Sequence, residues 1–418
     1  METSLWTSMR RRELFVAGGA LAGLAALPAR AATAAKNIYR AIGVRPVVNA
    51  RGTFTIITGS QSLPEVKRAM EEASRSYVNM DELMEAVSQR LAAATDSEWG
   101  IVTNGCCAAI AHTTAASIAG SNPERMQRLP DLAGLKNEVI IPAYSRNVYD
   151  HAVRMVGPRI IEVDDVSKLD EAFNPRTAMV YILAGPGDEG PLGTAVVSAA
   201  AKRHGVPVLV DAAAEGLTFP NVHLQRGATV VAYSGGKCIR GPQAAGLLIG
   251  DKNLVQAAWA NSAPHHAYGR ALKVGKEEIM GMLAAAEAWK GRNHEAEWQQ
   301  WLASLDFIGK RVSGISGVTT SVIQPQGLSN RTPSLRILWD GARLGITGTE
   351  VAKLLLDTEP RIVLAGGTGT RPDRMDSTVT VTPWMMMPGD EKIIADRLFA
   401  VMTGTPKFEN PVVPQGVP

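Results

Sequence analysis

The sequence is short of cysteine, of aromatic side chains and of any surplus of charge. Its 418 residues include only three cysteines, Cys106, Cys107 and Cys238, which excludes a disulfide-built scaffold. Cys106 and Cys107 are adjacent and are poor bridge partners for each other. Lys and Arg number 43 against 40 Asp and Glu, a formal balance of +3, and no basic tract is concentrated. A dominant nucleic-acid role is therefore not expected, because phosphate binding needs clustered cations. No Cys/His group has ligand spacing, so no metal is expected. Internal repeats and low-complexity tracts are absent, and beyond residue 31 no apolar run is long enough to cross a bilayer. What is there is globular: 45% apolar residues, 20% charged and 40 glycines. At roughly 100–200 residues per domain, two or three domains are expected.

The one sustained apolar run, Phe15 to Leu27, follows Arg10-Arg11-Arg12-Glu13-Leu14 and is broken by Pro28. Ala29-Arg30-Ala31 then gives a small-x-small cleavage pattern. These are the three regions of an export signal, and Arg-Arg-x-Leu-Phe has the twin-arginine form. Residues 1–31 are expected to be a signal peptide that sends a folded protein to the periplasm without stable membrane insertion. A frayed basic helix on a cytoplasmic protein is the plainer alternative.

Residues 32–62 have little periodicity and are expected to form an arm. Pro64 fits a first helical turn, and Asp81 is a candidate N-cap for the helix that follows. From about residue 100 short apolar runs alternate with helical segments: 139–141, 160–163, 179–183, 207–210, 230–233 and 246–249, with helices at 145–156 and 194–204. Two-sided apolar strands alternating with helices predict a mostly parallel sheet covered on both faces. One long helix is expected over 275–310. Residues 315–404 then read as a smaller α+β domain, with strands near 318–323, 334–339, 360–364 and 377–382 and a tail over 405–418. The fold class is α/β, with a large domain over 63–310 and a small C-terminal one.

Three segments carry chemistry. Val102-Thr103-Asn104-Gly105-Cys106-Cys107 turns a strand into a helix of small residues, where free backbone N–H groups form an anion site. Asp211 ends the apolar run Val208-Leu209-Val210, where parallel sheets bind ligands. Alone it could cap a helix, hold a metal or pair with a cationic ligand. Lys237 lies between glycines in Ser234-Gly235-Gly236-Lys237, and a desolvated lysine becomes an amine nucleophile toward carbonyls. A phosphate cradle, then an aspartate, then a lysine, all at strand ends, is the set pyridoxal phosphate (PLP) requires. A P-loop kinase and a Rossmann oxidoreductase both lack their glycine spacing here.

The chain resembles the fold-type I PLP enzymes of the bacterial selenocysteine synthase type, nearest the branch of D-glucosaminate-6-phosphate ammonia-lyase-like proteins. The resemblance rests on Asn49-Ala50-Arg51-Gly52, Arg146-Asn147-Val148-Tyr149-Asp150-His151, Val210-Asp211-Ala212-Ala213, Ser234-Gly235-Gly236-Lys237, Gly241-Pro242-Gln243 and Lys276-Glu277-Glu278. It implies Lys237 as the imine-forming lysine and Asp211 as the partner of the pyridine nitrogen. It implies Ser234, Asn104, Gly105 and Cys106 as phosphate contacts, Gln243 near the cofactor, and Tyr149 or His151 as the residue stacked on its ring. Arg361 or Arg336 would hold a substrate carboxylate, with Arg361 preferred. Lys276 reads as structural, the cysteines as packing residues, and Trp289, Trp298 and Trp301 as core or interface.

The implied reaction is α,β-elimination from a small β-substituted amino acid or amino-sugar acid, by a homodimer or larger oligomer. Selenium transfer, aldol cleavage, racemisation and a non-catalytic binding protein are the alternatives. The export signal is directly testable. Replacing both Arg11 and Arg12 by Lys is expected to strand the precursor in the cytoplasm, measured by fractionation; unchanged periplasmic recovery would exclude the twin-arginine route.

Overall fold

The structure, a computed structural model, describes residues 37–368 and 376–404; the signal-like segment and the tail lie outside the described residues. Among the described residues, those from Val47 onward belong to one compact unit and 37–46 to another. Twelve strands are described: β1 (Val48–Ala50), β2 (Trp99–Thr103), β3 (Glu138–Pro142), β4 (Arg159–Val163), β5 (Thr177–Leu183), β6 (Val208–Asp211), β7 (Val230–Ser234), β8 (Gly246–Gly250), β9 (Val318–Ile323), β10 (Ser334–Asp340), β11 (Ile362–Thr368) and β12 (Asp376–Val381). They form a seven-stranded sheet, β2-β8-β7-β6-β5-β3-β4, and a five-stranded sheet, β1-β11-β12-β10-β9.

In the larger sheet β4, β3, β5, β6 and β7 run parallel, and β8 lies antiparallel between β7 and β2. Every residue of β2, β3, β6 and β8 is buried, as expected of strands covered on both faces. The helix Gly105–Ala119 is also buried almost all round. That fits its run of Ala, Thr and Ile, small enough to lie close against the sheet. In the smaller sheet, Leu335, Ile337 and Trp339 of β10 alternate with less buried residues, the pattern of a sheet packed on one face. That face meets Leu305, Ile308 and Val312 of the helix His294–Val312 in a second apolar core.

Four elements depart from those expected. The stretch 275–310 is two helices, Lys276–Trp289 and His294–Val312. Gly291 is a poor helix former, and the Asn293 side chain caps the second helix by accepting from the Ala296 N–H at 3.0 Å. Within 145–156 only His151–Arg154 is α-helical, because Asn147 accepts from the Tyr149 N–H at 2.7 Å and tightens the backbone into a turn. Asn79, not Asp81, caps the helix Met80–Thr95. The arm contributes β1, which pairs parallel to β11, Val48 opposite Ile362. Three residues are too few to show a period in sequence.

Glu138 fastens the end of the large sheet opposite the site. It is 2% exposed and accepts from Arg159 at 2.7 Å, Arg176 at 2.8 Å and Asn174 at 2.7 Å. Burial alone would raise its pKa, but these hydrogen bonds outweigh it and hold the carboxyl down at about 2. A depressed carboxyl contributes stability above its unfolded pKa, near 4.5, and loses that contribution as pH falls toward 2. The two arginines are largely exposed, so screening reduces the contribution to about 1–3 kcal/mol. Glu138→Gln is expected to lower stability at pH 7 by that amount and to flatten the loss between pH 4.5 and 2, measured by urea unfolding across pH.

Candidate active site

The sheet register gathers the candidate residues at one edge. Thr103, Gly246 and Ser234 lie side by side across β2, β8 and β7. Gly246 must be glycine, since a Cβ there would collide with the backbone of Gly105 and Cys106. This contact brings the start of the helix Gly105–Ala119 beside the Ser234 end of β7. The cap residue, Asn104, makes no side-chain cap bond, so the first-turn N–H groups face outward uncapped. Gly105 adopts φ +74°, with open space where a Cβ would stand. A 15-residue helix with an uncapped N-terminus, an adjacent hydroxyl and room above it suits a phosphate group.

Asp211 is 2% exposed and ends β6. Its Oδ2 accepts from the Tyr181 hydroxyl at 2.8 Å. Its Oδ1 accepts from the Cys106 thiol at 3.3 Å and the Ala213 N–H at 3.1 Å. Burial first, and the Asp211 charge second, push the Cys106 thiol and the Tyr181 hydroxyl well above their ordinary pKa values. Both therefore stay protonated and donate to the carboxylate. A carboxylate has about four acceptor positions. Three are filled here, which leaves one direction for a ring N–H. Asn147 completes the cluster by donating to the Tyr181 oxygen at 3.3 Å.

Lys237 is half-buried in the turn after β7, and its Nζ has no hydrogen-bond partner among the described residues. Its charge is felt at both Cys106 and Cys107, where it opposes the upward pull of burial. Gln243 lies over the Lys237 turn: a Cβ on Gly236 or on Gly59 would collide with its side chain. Around this set is a further layer of buried polar groups. Glu215 is 2.7 Å from His223 Nε2 and accepts from Ser329 at 3.0 Å; His223 Nδ1 is 3.7 Å from Asp188. Burial, more than any neighbouring charge, raises the Asp188 carboxyl. The Cys238 thiol, pushed up to about 12 by burial, donates to the Glu215 carbonyl at 2.9 Å.

The structure thus joins Asp211, Lys237, Ser234, Asn104, Gly105, Cys106 and Gln243 at one sheet edge. Tyr149, His151, Arg361 and Arg336 make none of the hydrogen bonds described at this edge. Tyr149 is 57% exposed, and His151 turns its Nδ1 to Arg154 at 3.2 Å; from that segment it is Asn147 that reaches the cluster. Arg361 precedes β11 and donates to the Leu356 carbonyl at 2.6 Å. Arg336 is exposed on the face of β10 opposite Leu335, Ile337 and Trp339. Lys276 holds the Ala73 carbonyl at 2.8 Å.

Sequence reasoning passed over Tyr181 and Asn147. A tyrosine inside an otherwise apolar buried strand was the available signal, because its hydroxyl needs a partner there. Cys106, expected as a small packing residue in the phosphate loop, also donates to Asp211. A cavity of about 250 Å³ opens beside the cluster; Ala214, Cys238, Trp289, Trp298, Trp301 and Arg331 are among its walls.

The acceptor left on Asp211, the free amine of Lys237 and the uncapped helix make this a PLP site. No protein-family model matches the chain. It is 32% identical over 303 residues to a Streptomyces 5'-C-glycyluridine monooxygenase-decarboxylase, covering 68% of this chain and 73% of that protein. It is 29% identical over 326 residues to a Salmonella typhimurium D-glucosaminate-6-phosphate ammonia lyase, covering 75% and 85%. It is 26% identical over 337 residues to a Moorella thermoacetica L-seryl-tRNA(Sec) selenium transferase, covering 71% and 68%. A solved D-glucosaminate-6-phosphate ammonia-lyase structure matches with a TM-score of 0.77 at 26% identity, over 89% of this chain and 99% of that one. The chain belongs to the selenocysteine synthase-like family of fold-type I PLP enzymes.

Tyr181→Phe removes one of the three donors to Asp211. It is expected to cost roughly 1–3 kcal/mol in urea unfolding, the usual penalty for stranding a buried acceptor, and to speed loss of cofactor on dialysis.

Proposed function

We propose that the protein is a PLP-dependent ammonia lyase acting on a β-hydroxy amino acid or amino-sugar acid. The observation that carries this reading is the half-buried Lys237 amine, unpartnered among the described residues, in a turn beside the three-donor clamp on Asp211. When bound, PLP supplies a carbonyl for the substrate amine and an electron sink for the α-carbon. Asp211 would hold the pyridine N–H at its remaining acceptor. The first-turn amides of Gly105–Ala119 and the Ser234 hydroxyl anchor the phosphate. The Lys237 amine, once released by the substrate amine, takes the α-proton onto Nζ and can pass it to the departing β-hydroxyl. Water is lost, and the freed enamine takes up water to give a keto acid and ammonia. The likeness to an ammonia lyase over most of both chains supports this reading.

We also propose export to the periplasm and a homodimer. Arg10-Arg11-Arg12 before the apolar run supports the first. The exposed Phe54, Ile56, Tyr77, Val148 and Tyr149 support the second, because such side chains left in water mark contact surfaces. Sedimentation is the check: a fully active monomer would exclude the dimer.

The purified protein is expected to be yellow and to carry, after borohydride, a pyridoxyl adduct on Lys237 that Lys237→Ala lacks. It is expected to release ammonia and a keto acid in equal amounts from at least one β-hydroxy amino acid. An adduct on Lys273 or Lys276 would refute the site. Racemisation, cleavage to glycine and an aldehyde, or carbon dioxide release with oxygen uptake, in place of ammonia, would refute the lyase.

A further inference from the structure

Two buried polar atoms behind the active-site edge face each other with no hydrogen-bond partner among the described residues: His223 Nδ1 and Asp188 Oδ2, 3.7 Å apart. The other side of the imidazole is settled. Glu215 takes the Ser329 hydroxyl proton on one oxygen at 3.0 Å, so it is an acceptor, and its second oxygen stands 2.7 Å from His223 Nε2. Nε2 therefore carries a hydrogen. In a neutral imidazole Nδ1 is then a bare lone pair, and it points at the lone pairs of a buried carboxylate. That arrangement is costly in a site without water, whereas one proton in the gap turns it into a charge-assisted hydrogen bond, whichever atom keeps it. The other charged groups around Asp188 do not supply that proton. Arg226 lies 3.6 Å from Asp188 Oδ1, is partly exposed and is already held by Glu189 at 2.7 Å. Burial first, and the charges of Glu215 and Glu189 after it, raise the Asp188 carboxyl against the opposing pull of His223 and Arg226.

Asp188 is also the side chain that fastens its own turn. The turn Pro186–Glu189 spends its backbone hydrogen bonds on itself: the N–H groups of Asp188, Gly190 and Gly193 donate to the carbonyls of Gly185, Gly187 and Gly190. Against this turn lies Tyr144. Its ring occupies the place a Cβ on Gly187 would need, and its hydroxyl donates to the Leu192 carbonyl at 3.2 Å. Burial pushes that hydroxyl up to about 12, and the Asp188 charge adds to the rise. The residue after Tyr144 leads into the cofactor clamp: Asn147 donates to the Ser145 carbonyl at 2.7 Å and to the Tyr181 oxygen at 3.3 Å, and Tyr181 donates to Asp211 at 2.8 Å.

We propose that Asp188 and His223 hold one proton between them, that this proton latches the Pro186–Glu189 turn against Tyr144, and that its loss in alkali frees the turn and loosens the Asn147–Tyr181–Asp211 clamp. Asp188 and His223 are thus positioning residues, whichever reaction the site performs. The direction follows from the carboxyl: raised above its unfolded value of 3.8, it contributes stability at low pH and loses it as pH rises through the folded value. Hydrogen exchange on the holoenzyme, expressed as protection factors, tests this. Protection over residues 185–193 is expected to fall at least tenfold as pH rises from about 5 to about 9, with protection of β6 unchanged, and cofactor loss on dialysis is expected to quicken over the same range. D188N places an amide N–H in the gap permanently and is expected to make both readings independent of pH. H223Q removes the partner and is expected to leave residues 185–193 poorly protected throughout the range. Protection over 185–193 that does not change with pH, a fall shared by β6, a D188N protein that follows the unsubstituted one, or an H223Q protein that keeps its pH dependence would overturn the proposal. If D188N does not fold, the H223Q profile decides.

Discussion

A carboxylate buried at the end of a parallel strand has to be satisfied, and the active-site edge is arranged around that requirement at Asp211. Its acceptors are filled from three directions: a strand neighbour on β5, a thiol on the helix after β2, and a backbone N–H of its own loop. Each donor comes from a different element, so the carboxylate fixes their mutual placement as much as they fix its charge. The thiol is the least usual member. A cysteine at that helix start fills little space beneath a phosphate and still supplies a proton to the carboxylate.

A second buried layer stands behind the first. Glu215 links His223, Ser329 and, through its carbonyl, Cys238. The residue after Lys237 and the loop before β10 are thereby tied to one residue. Burying two carboxylates around one imidazole is costly unless hydrogen bonds compensate, and the Asp188 carboxyl, raised by burial, is where compensation is weakest. Polar groups at this density beside the cluster stiffen the ground on which Lys237 stands.

The parts legible in sequence were those with strong local periodicity or motif chemistry. β3 through β8 announced themselves as short apolar runs, and Asp211 and Lys237 as polar residues ending such runs. The parts that escaped depend on side chains competing with the backbone or on contacts distant in sequence. Asn147 and Asn293 each redirect a helix by capping, which a window of hydrophobicity cannot register. β1 exists only because β11 is beside it. Arg361, which family likeness offers as a carboxylate clamp, precedes β11 and donates to the Leu356 carbonyl, a local contact that residue type alone does not announce. Trp289, Trp298 and Trp301 read as core or interface by helical spacing, and only tertiary structure shows them lining one chamber together with Trp384.

The short loop between β9 and β10 has a mechanical meaning. Its Ser329 and Asn330 are pinned to Glu215 and Ala214 on the large sheet, while the strand it enters, β10, is hydrogen-bonded on both sides within the small sheet. The two sheets are therefore not free to slide past one another at this point without breaking bonds a few residues from Asp211. Any tilt of the small sheet would be levered onto Glu215 and Ala214, so the posture of the whole small sheet and the loop that follows Asp211 are geared together.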